Sequence, residues 1–290
     1  MPTEAKQSNF EGSFVQNFLV FREQSRQFDA ITQCIHNILP EEFKSIGAGK
    51  SSLDVLGVGS GGGEVDVQIL TLLQSTVPDV PITADIVEGS SQLTDNFKAL
   101  VAMTTNLQKI PFAWHIMPSE NYERQVKAKG DMKRFDFIHM IQMLYFVDNL
   151  SDTIKFYHSL LKSNGRLMII IAAENNSWDV LWKTYTKELC VSSIKEWRTS
   201  REVIASLKSQ GLIYEEHAIT GTLDISECFN PNSQTGEHLL SFFTMTHDFN
   251  QSFTPEVRAG ILDLLSNKCS TDKDGRVLFN IDASCILVHT

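Results

Sequence analysis

Apolar residues in this chain gather in short, near-continuous runs separated by stretches that repeat every three to four positions. Val55, Leu56 and Val58 belong to one run, and Ile82-Thr-Ala-Asp-Ile-Val-Glu88 to a second. Pro111-Phe-Ala-Trp-His-Ile116, Phe135 to Ile141 and Arg166 to Ala172 make three more. Runs of this kind read as strands buried on both faces. The periodic stretches between them predict helices over 64–74, 92–103 and 151–162, with Asn164-Gly165 turning into the fifth strand. Strand and helix in alternation imply a mostly parallel sheet with right-handed crossovers and helices on both faces. Ahead of the first run, Phe10, Phe14, Phe18, Phe21 and Phe28 share one helical face. That face either packs on the core or forms an aromatic lid. Residues 29–46 predict a second helix, interrupted at Pro40. The last third is less regular. Helices are expected from Asn176-Ser177-Trp178, over 199–210, and near 236–247 and 254–266, with strands at 212–219, 275–279 and 284–288.

Composition narrows the class. With 42% hydrophobic and 21% charged residues, the 290-residue chain can bury a large core. The net charge is −10 and no basic run occurs, which argues against nucleic-acid binding. The longest apolar run, Leu167 to Ala173, is too short to span a bilayer. Cys34, Cys190, Cys228, Cys269 and Cys285 are scattered without a C-x-x-C pair, so neither a disulfide framework nor a metal site is expected. A cytoplasmic monomer is the simple reading.

The candidate chemistry begins at Leu53 to Asp66. The first strand breaks into Gly59-Ser60-Gly61-Gly62-Gly63 and then Glu64 opens a helix. Such a turn lets backbone approach a ligand closely, and the free N–H groups of a helix start favour polar or negative groups. The second strand ends in Glu88, where a carboxylate can accept both hydroxyls of a ribose. The dinucleotide fingerprint G-x-G-x-x-G fails at its sixth place, which is Glu64. An acid there is a poor neighbour for a pyrophosphate but tolerable beside a cationic sulfonium with an amino-acid tail. The stretch resembles the first motif of the class I S-adenosylmethionine-dependent methyltransferases. Gly59, Gly61, Glu88, Ser119 and Ile141-Gln142 all fall at strand ends on one rim, where ligands of such sheets sit.

Longer stretches carry a more specific resemblance. Phe135-Asp-Phe-Ile-His-Met-Ile-Gln-Met-Leu-Tyr-Phe-Val147 is similar to the corresponding segment of the histamine N-methyltransferase family. So are Pro111-Phe-Ala-Trp-His115, Glu64-Val-Asp-Val-Gln-Ile-Leu70, Ser177-Trp-Asp-Val-Leu-Trp182, Thr222-Leu-Asp-Ile-Ser226 and Gly275-Arg-Val-Leu-Phe-Asn280. The resemblance implies a Rossmann-like class I methyltransferase: a mostly parallel seven-stranded sheet with a smaller substrate-binding portion. Within 1–290, read as a single domain, 1–46 would be a helical lid, 47–175 the cofactor core and 176–290 the substrate portion. It also implies methyl transfer from S-adenosylmethionine to an imidazole ring nitrogen. Cofactor contacts would fall on Gly59, Gly61, Glu88, Ser119 and Ile141. A further family contact, a glutamine, falls on Leu93, beside Gln92.

The substrate side departs from the family. Its three polar contacts map to Gln27, Gln142 and Ile281, so only the glutamine, Gln142, is kept, and Asn280 lies next to the third. Aromatic walls are implied at Phe14, Phe18, Phe21, Tyr145, Phe146, Trp178, Trp182 and Phe242. Losing an acid at Gln27 weakens the pull on an ammonium. Arg22 and Arg26 lie on the same segment, and arginine captures carboxylates well. The acceptor is therefore histamine, or an imidazole that carries a carboxylate, such as the dipeptide carnosine. His115 and His139 sit in apolar strands and read as structural. Alternatives are methylation of another small amine, a nicotinamide oxidoreductase of the same topology, and a non-catalytic amine- or cofactor-binding protein.

Overall fold

The computed structural model describes residues 11–130, 132–191 and 193–290. In chain order the helices are α1 (Ser13–Gln24), α2 (Gln27–Gly47), α3 (Glu64–Thr76), α4 (Ser91–Met103), α5 (Ser119–Lys129), α6 (Leu150–Ser159), α7 (Ser177–Thr184), α8 (Thr186–Leu189), α9 (Ser200–Ser209), α10 (Gln234–Phe243), α11 (Phe249–Ser252) and α12 (Pro255–Lys268). The strands are β1 (Leu53–Val58), β2 (Ile82–Glu88), β3 (Phe112–Ile116), β4 (Phe135–Ile141), β5 (Leu161–Ala172), β6 (Tyr214–Ile219), β7 (Thr222–Asp224), β8 (Ser270–Thr271), β9 (Val277–Asn280) and β10 (Ala283–His289). Among the described residues, seven strands form one sheet in the order β3-β2-β1-β4-β5-β10-β6, and β7-β9-β8 form a smaller one. β3, β2, β1, β4 and β5 pair in parallel, and β10 runs antiparallel to both of its neighbours. The order reverses between β1 and β4, and the rim outside the C-terminal ends of such strands is where ligands sit.

Strand alternation sorts the core. In β5, Leu167, Ile169 and Ile171 face a cluster built with Tyr157, Val203 and Leu207. Met168 and Ile170 face the other side, with Ile35, Leu39, Phe43 and Leu73. A third cluster surrounds Trp182, Phe243 and Phe279, between the small sheet and α7, α10 and α12.

The structure corrects several expected boundaries. The aromatic helix is broken at Ser25, whose backbone is extended (φ −96°, ψ 153°). The break frees α1 to pack on α10 while α2 packs on α3. Phe28 therefore sits on α2, and Phe10 lies outside the described residues. Pro40 does not interrupt α2. An interior proline costs about 3 kcal/mol. Ile31, Ile35, Leu39, Phe43 and Ile46 are all buried on this helix, and each such side chain contributes about 1.5–3 kcal/mol. Helix α6 ends at Ser159, and β5 already begins at Leu161. Asn164-Gly165 forms an irregularity inside that strand, where the register moves from Phe135↔Leu161 to Phe137↔Arg166.

Candidate active site

At the end of β1 the chain turns sharply. Gly59 has φ 67°, and a Cβ there would lie 2.6 Å from Met143 Cβ. This close approach of the turn to the segment after β4 requires glycine. The Gly61 N–H donates to Glu88 Oε2 at 2.7 Å, and the Ser90 N–H donates to Oε1 at 2.8 Å. The carboxylate at the end of β2 is thus tied to the glycine turn and to the start of α4, which Ser90 caps by accepting from the Leu93 N–H. Glu88 is buried. Burial pushes its pKa above the usual carboxylate value, against the pull of the Ser90 and Gly61 N–H groups, and the charge of Asp66 adds to the rise. Ser119 begins α5 on the same rim, and its carbonyl accepts from the Tyr157 hydroxyl.

Gln142 follows β4 with φ 53°, a left-handed conformation unusual for a residue with a side chain. Its N–H still donates to Ile170 O at 2.8 Å and extends the ladder to β5. Its side-chain Oε1 accepts from the Tyr145 hydroxyl at 2.5 Å, and that hydroxyl accepts from the Ala172 N–H at 2.7 Å. With one lone pair of the oxygen so engaged, the second lone pair and the amide nitrogen are left for a ligand. Tyr145 also stacks on Trp197 (5.0 Å between centroids, 10° between planes), and Trp197 stacks on Trp182.

These groups open onto one cavity of about 310 Å³. It joins the glycine turn, Glu88, Ser119 and Ile141 to Gln142, Gln27 and an aromatic wall of Phe18, Phe21, Tyr145, Phe146, Trp178, Trp182 and Phe242. Phe21 stacks on Phe242 at 4.6 Å and meets Trp178 edge-on at 5.3 Å, so α1 closes one side. Two expected contacts lie elsewhere. Phe14 packs on His247 at 3.9 Å, and Ile281 is buried in the third cluster beside Gly221. Asn280 is occupied with Asp282 and lies outside this cavity. Arg26 is exposed and outside it too, whereas Arg22 lines it and donates to Glu64.

Some lining groups were not anticipated. His139 lines the cavity under the glycine turn, with Nε2 3.1 Å from Asp66 Oδ1, and Asp66 accepts from the Ser60 hydroxyl. The signal was present: His139 is two residues before Ile141 on the same strand, so both point to one face. Trp197, whose indole N–H donates to Asp179, comes from a segment without periodicity and gave no signal. Leu93, the position on which the family's further cofactor contact falls, lines the cavity as well.

The donor set suits the nucleoside cofactor expected above. The Gly61 and Ser90 N–H groups take different oxygens of Glu88, and a carboxylate's four lone pairs leave room for a sugar hydroxyl. Among the described residues, no group of three or more His, Cys, Asp or Glu is placed to hold a metal ion, and no helix is long and apolar enough to cross a membrane.

Comparison with known proteins adds independent findings. Residues 22–211 match a methyltransferase-domain family model. The chain is 40% identical over 277 residues to histamine N-methyltransferase A of Xenopus laevis, covering 95% of this chain and 94% of that protein. It is 36% identical over 278 residues to carnosine N-methyltransferase 2 of Gallus gallus, covering 96% and 86%. Among solved structures, a plantazolicin methyltransferase in complex with S-adenosylhomocysteine superposes with a TM-score of 0.51 at 13% identity, covering 97% of this chain and 92% of that one.

Proposed function

This chain belongs to the histamine N-methyltransferase family, and from that premise we propose that it methylates an imidazole ring nitrogen of histamine or of a related small imidazole such as carnosine. It is an S-adenosylmethionine-dependent N-methyltransferase. One observation carries the substrate reading. A single cavity joins the cofactor rim to an aromatic slot that holds an amide, Gln142.

That is what an imidazole acceptor needs. A neutral imidazole has an unperturbed pKa of ~6.5 and already carries a lone pair, so no strong base has to create the nucleophile. The cofactor, when bound, supplies the electrophilic methyl. The chain's own residues bind and orient. Glu88 would hold the ribose diol, the glycine turn would give the cofactor close backbone approach, and Ser119 and Ile141 would contact its adenine. Phe18, Phe21, Trp178 and Phe242 exclude water and fix the ring plane, and the second lone pair of Gln142 Oε1 accepts the ring N–H, which leaves the other ring nitrogen free to attack. Placing the reacting atoms ~3–3.5 Å apart in a closed slot is then the main source of rate. The aromatic faces also favour the cationic product.

Residues 1–46 act as the lid in this reading, 47–175 as the cofactor core and 176–290 as the substrate portion. Five free cysteines support a reducing compartment such as the cytosol. Purified protein given S-adenosylmethionine with histamine, carnosine and histidine in parallel should yield ring-methylated product by mass and fragmentation. Methylation confined to primary amines, or none with any imidazole, would overturn the proposal.

A further inference from the structure

We infer that the Arg22–Glu64 ion pair receives the zwitterionic aminoacyl end of the cofactor, and that through Arg22 cofactor binding holds α1 in place over the site. The inference rests on the methyltransferase reading and adds to it a charge receptor carried on the lid.

Among the described residues lining the cavity, Arg22 is the one lysine or arginine. It stands on α1, and its partner Glu64 is the first residue of α3, immediately after the glycine turn. Glu64 folds back over that turn: a Cβ on Gly62 would lie 2.7 Å from its Oε1. The pair therefore sits at the cofactor end of the cavity. Both side chains are half-buried. The contact between them uses one of the guanidinium donors and one carboxylate oxygen, which leaves further donors and lone pairs for a ligand. The other carboxylates at this end are engaged, Glu88 by the Gly61 and Ser90 N–H groups and Asp66 by Ser60.

The cofactor ends in an α-ammonium and an α-carboxylate. A lone acid or a lone base would match half of it. An ion pair with spare capacity matches both, and arginine can take the carboxylate through two parallel hydrogen bonds. Arg22 shares α1 with Phe18 and Phe21, which wall the acceptor side. The same helix is tied to α4 through Gly12 N–H to Gln92 and to α10 through Asn17 and His238. A cofactor held by Arg22 therefore also sets the position of the aromatic wall.

Calorimetric titration of the full chain with S-adenosylmethionine and with its decarboxylated analogue tests this. Wild type should prefer the carboxylate-bearing cofactor at least tenfold. Arg22→Leu should bind both weakly and about equally, and Arg22→Lys should recover part of the preference. Thermal melts establish that each variant is folded. Hydrogen exchange should show cofactor-dependent protection of α1 in wild type and its loss in Arg22→Leu. If Arg22→Leu keeps the wild-type preference, the assignment is overturned while the methyltransferase reading stands. If KM rises only for a carboxylate-bearing imidazole and the cofactor preference is intact, Arg22 reads the acceptor and the assignment is again wrong. Failure of wild type to bind either cofactor would sink both.

Discussion

The chemistry of this site turns on the conformation of one amide. Gln142 sits at φ 53°, a strain of about 1–3 kcal/mol, and persists there because its surroundings fix it. Its N–H is spent on Ile170, and its side-chain oxygen is held by a hydroxyl that is itself held by the Ala172 N–H. Tyr145→Phe cuts that chain. It leaves a buried N–H and an amide oxygen without partners, which should cost about 2–3 kcal/mol of stability. The freed amide should lower kcat/KM for the acceptor about tenfold, equivalent to ~1.4 kcal/mol of lost orientation, with cofactor affinity unchanged. Burial pushes the Tyr145 phenol far above its ordinary value, only partly opposed by the Ala172 N–H, so the hydroxyl remains protonated at neutral pH. The loss should therefore be the same at pH 6 and pH 9. Steady-state kinetics at both, with urea melts, check it; a loss confined to the alkaline side would mean that Tyr145 titrates in the reaction. The sequence marked Gln142 as a polar residue at a strand end. It carried no trace of the left-handed backbone or of the Tyr145 relay, because both are fixed by contacts with the end of β5, Ile170 and Ala172, distant in sequence.

At the scale of elements, what was legible followed from how each segment is buried. β1, β2 and β4 are covered on both faces, so each reads as a near-continuous apolar run. Boundaries decided by tertiary packing were not legible. Nothing local in Gln24-Ser25-Arg26 distinguishes a break from a continuing helix; the break exists because α1 and α2 pack on different partners. Pro40 misleads in the opposite direction, since burial of the α2 face outweighs its local cost. β7 and β8 are too short to show a pattern at all. The glycine turn is the reverse case, where local sequence dictates the element. Gly63 has φ 80°, and a Cβ there would lie 2.0 Å from the Phe97 ring. Gly63→Ala combines a left-handed penalty of about 1–2 kcal/mol with overpacking of about 1–3 kcal/mol. The variant should lose about 2–5 kcal/mol, and most of its cofactor affinity, as the start of α3 shifts. Adding Phe97→Leu should restore part of the stability but none of the backbone term. A Gly63→Ala protein with wild-type melting and cofactor binding would show that the turn tolerates a side chain.

Over the whole molecule the sheet has two chemically different ends. The C-terminal rim holds the site, and the opposite end holds a network of paired charges. Lys162 bridges Asp54 at 2.7 Å and Asp136 at 2.8 Å, and Lys133 pairs with Asp85, which His115 also contacts. These bonds tie β1, β2, β3, β4 and β5 together, from the N-terminal ends of β1, β4 and β5 to the middle of β2 and the far part of β3. Burial alone would raise the pKa of Asp54, but the hydrogen bonds from Lys162 and Thr83 and the charges of Lys162 and Lys133 outweigh it and hold the group below its ordinary value. Lys162 is shifted upward: burial opposes the shift, and bonds to Asp136 and Asp54 overcome it. A carboxylate with a depressed folded pKa stabilises above its unfolded value, ~3.9, and loses that contribution as pH falls through the folded one. A lysine with a raised pKa stabilises fully below ~10.4 and loses that contribution as pH rises through the folded value. Lys162→Met should therefore cost about 2 kcal/mol near pH 7, less than a fully buried pair because the site is partly solvated. The difference from wild type should shrink below about pH 4 and again above about pH 10. Cofactor and acceptor affinities at pH 7 should stay at wild-type values, because Lys162, Asp54 and Asp136 lie at the N-terminal ends of their strands, opposite the site. Urea unfolding from pH 3 to 12 and calorimetric titration of S-adenosylhomocysteine measure the two halves of the claim. A stability difference constant across pH would assign the loss to packing by the lysine stem, and a fall in cofactor affinity would mean that the two ends of the sheet are coupled.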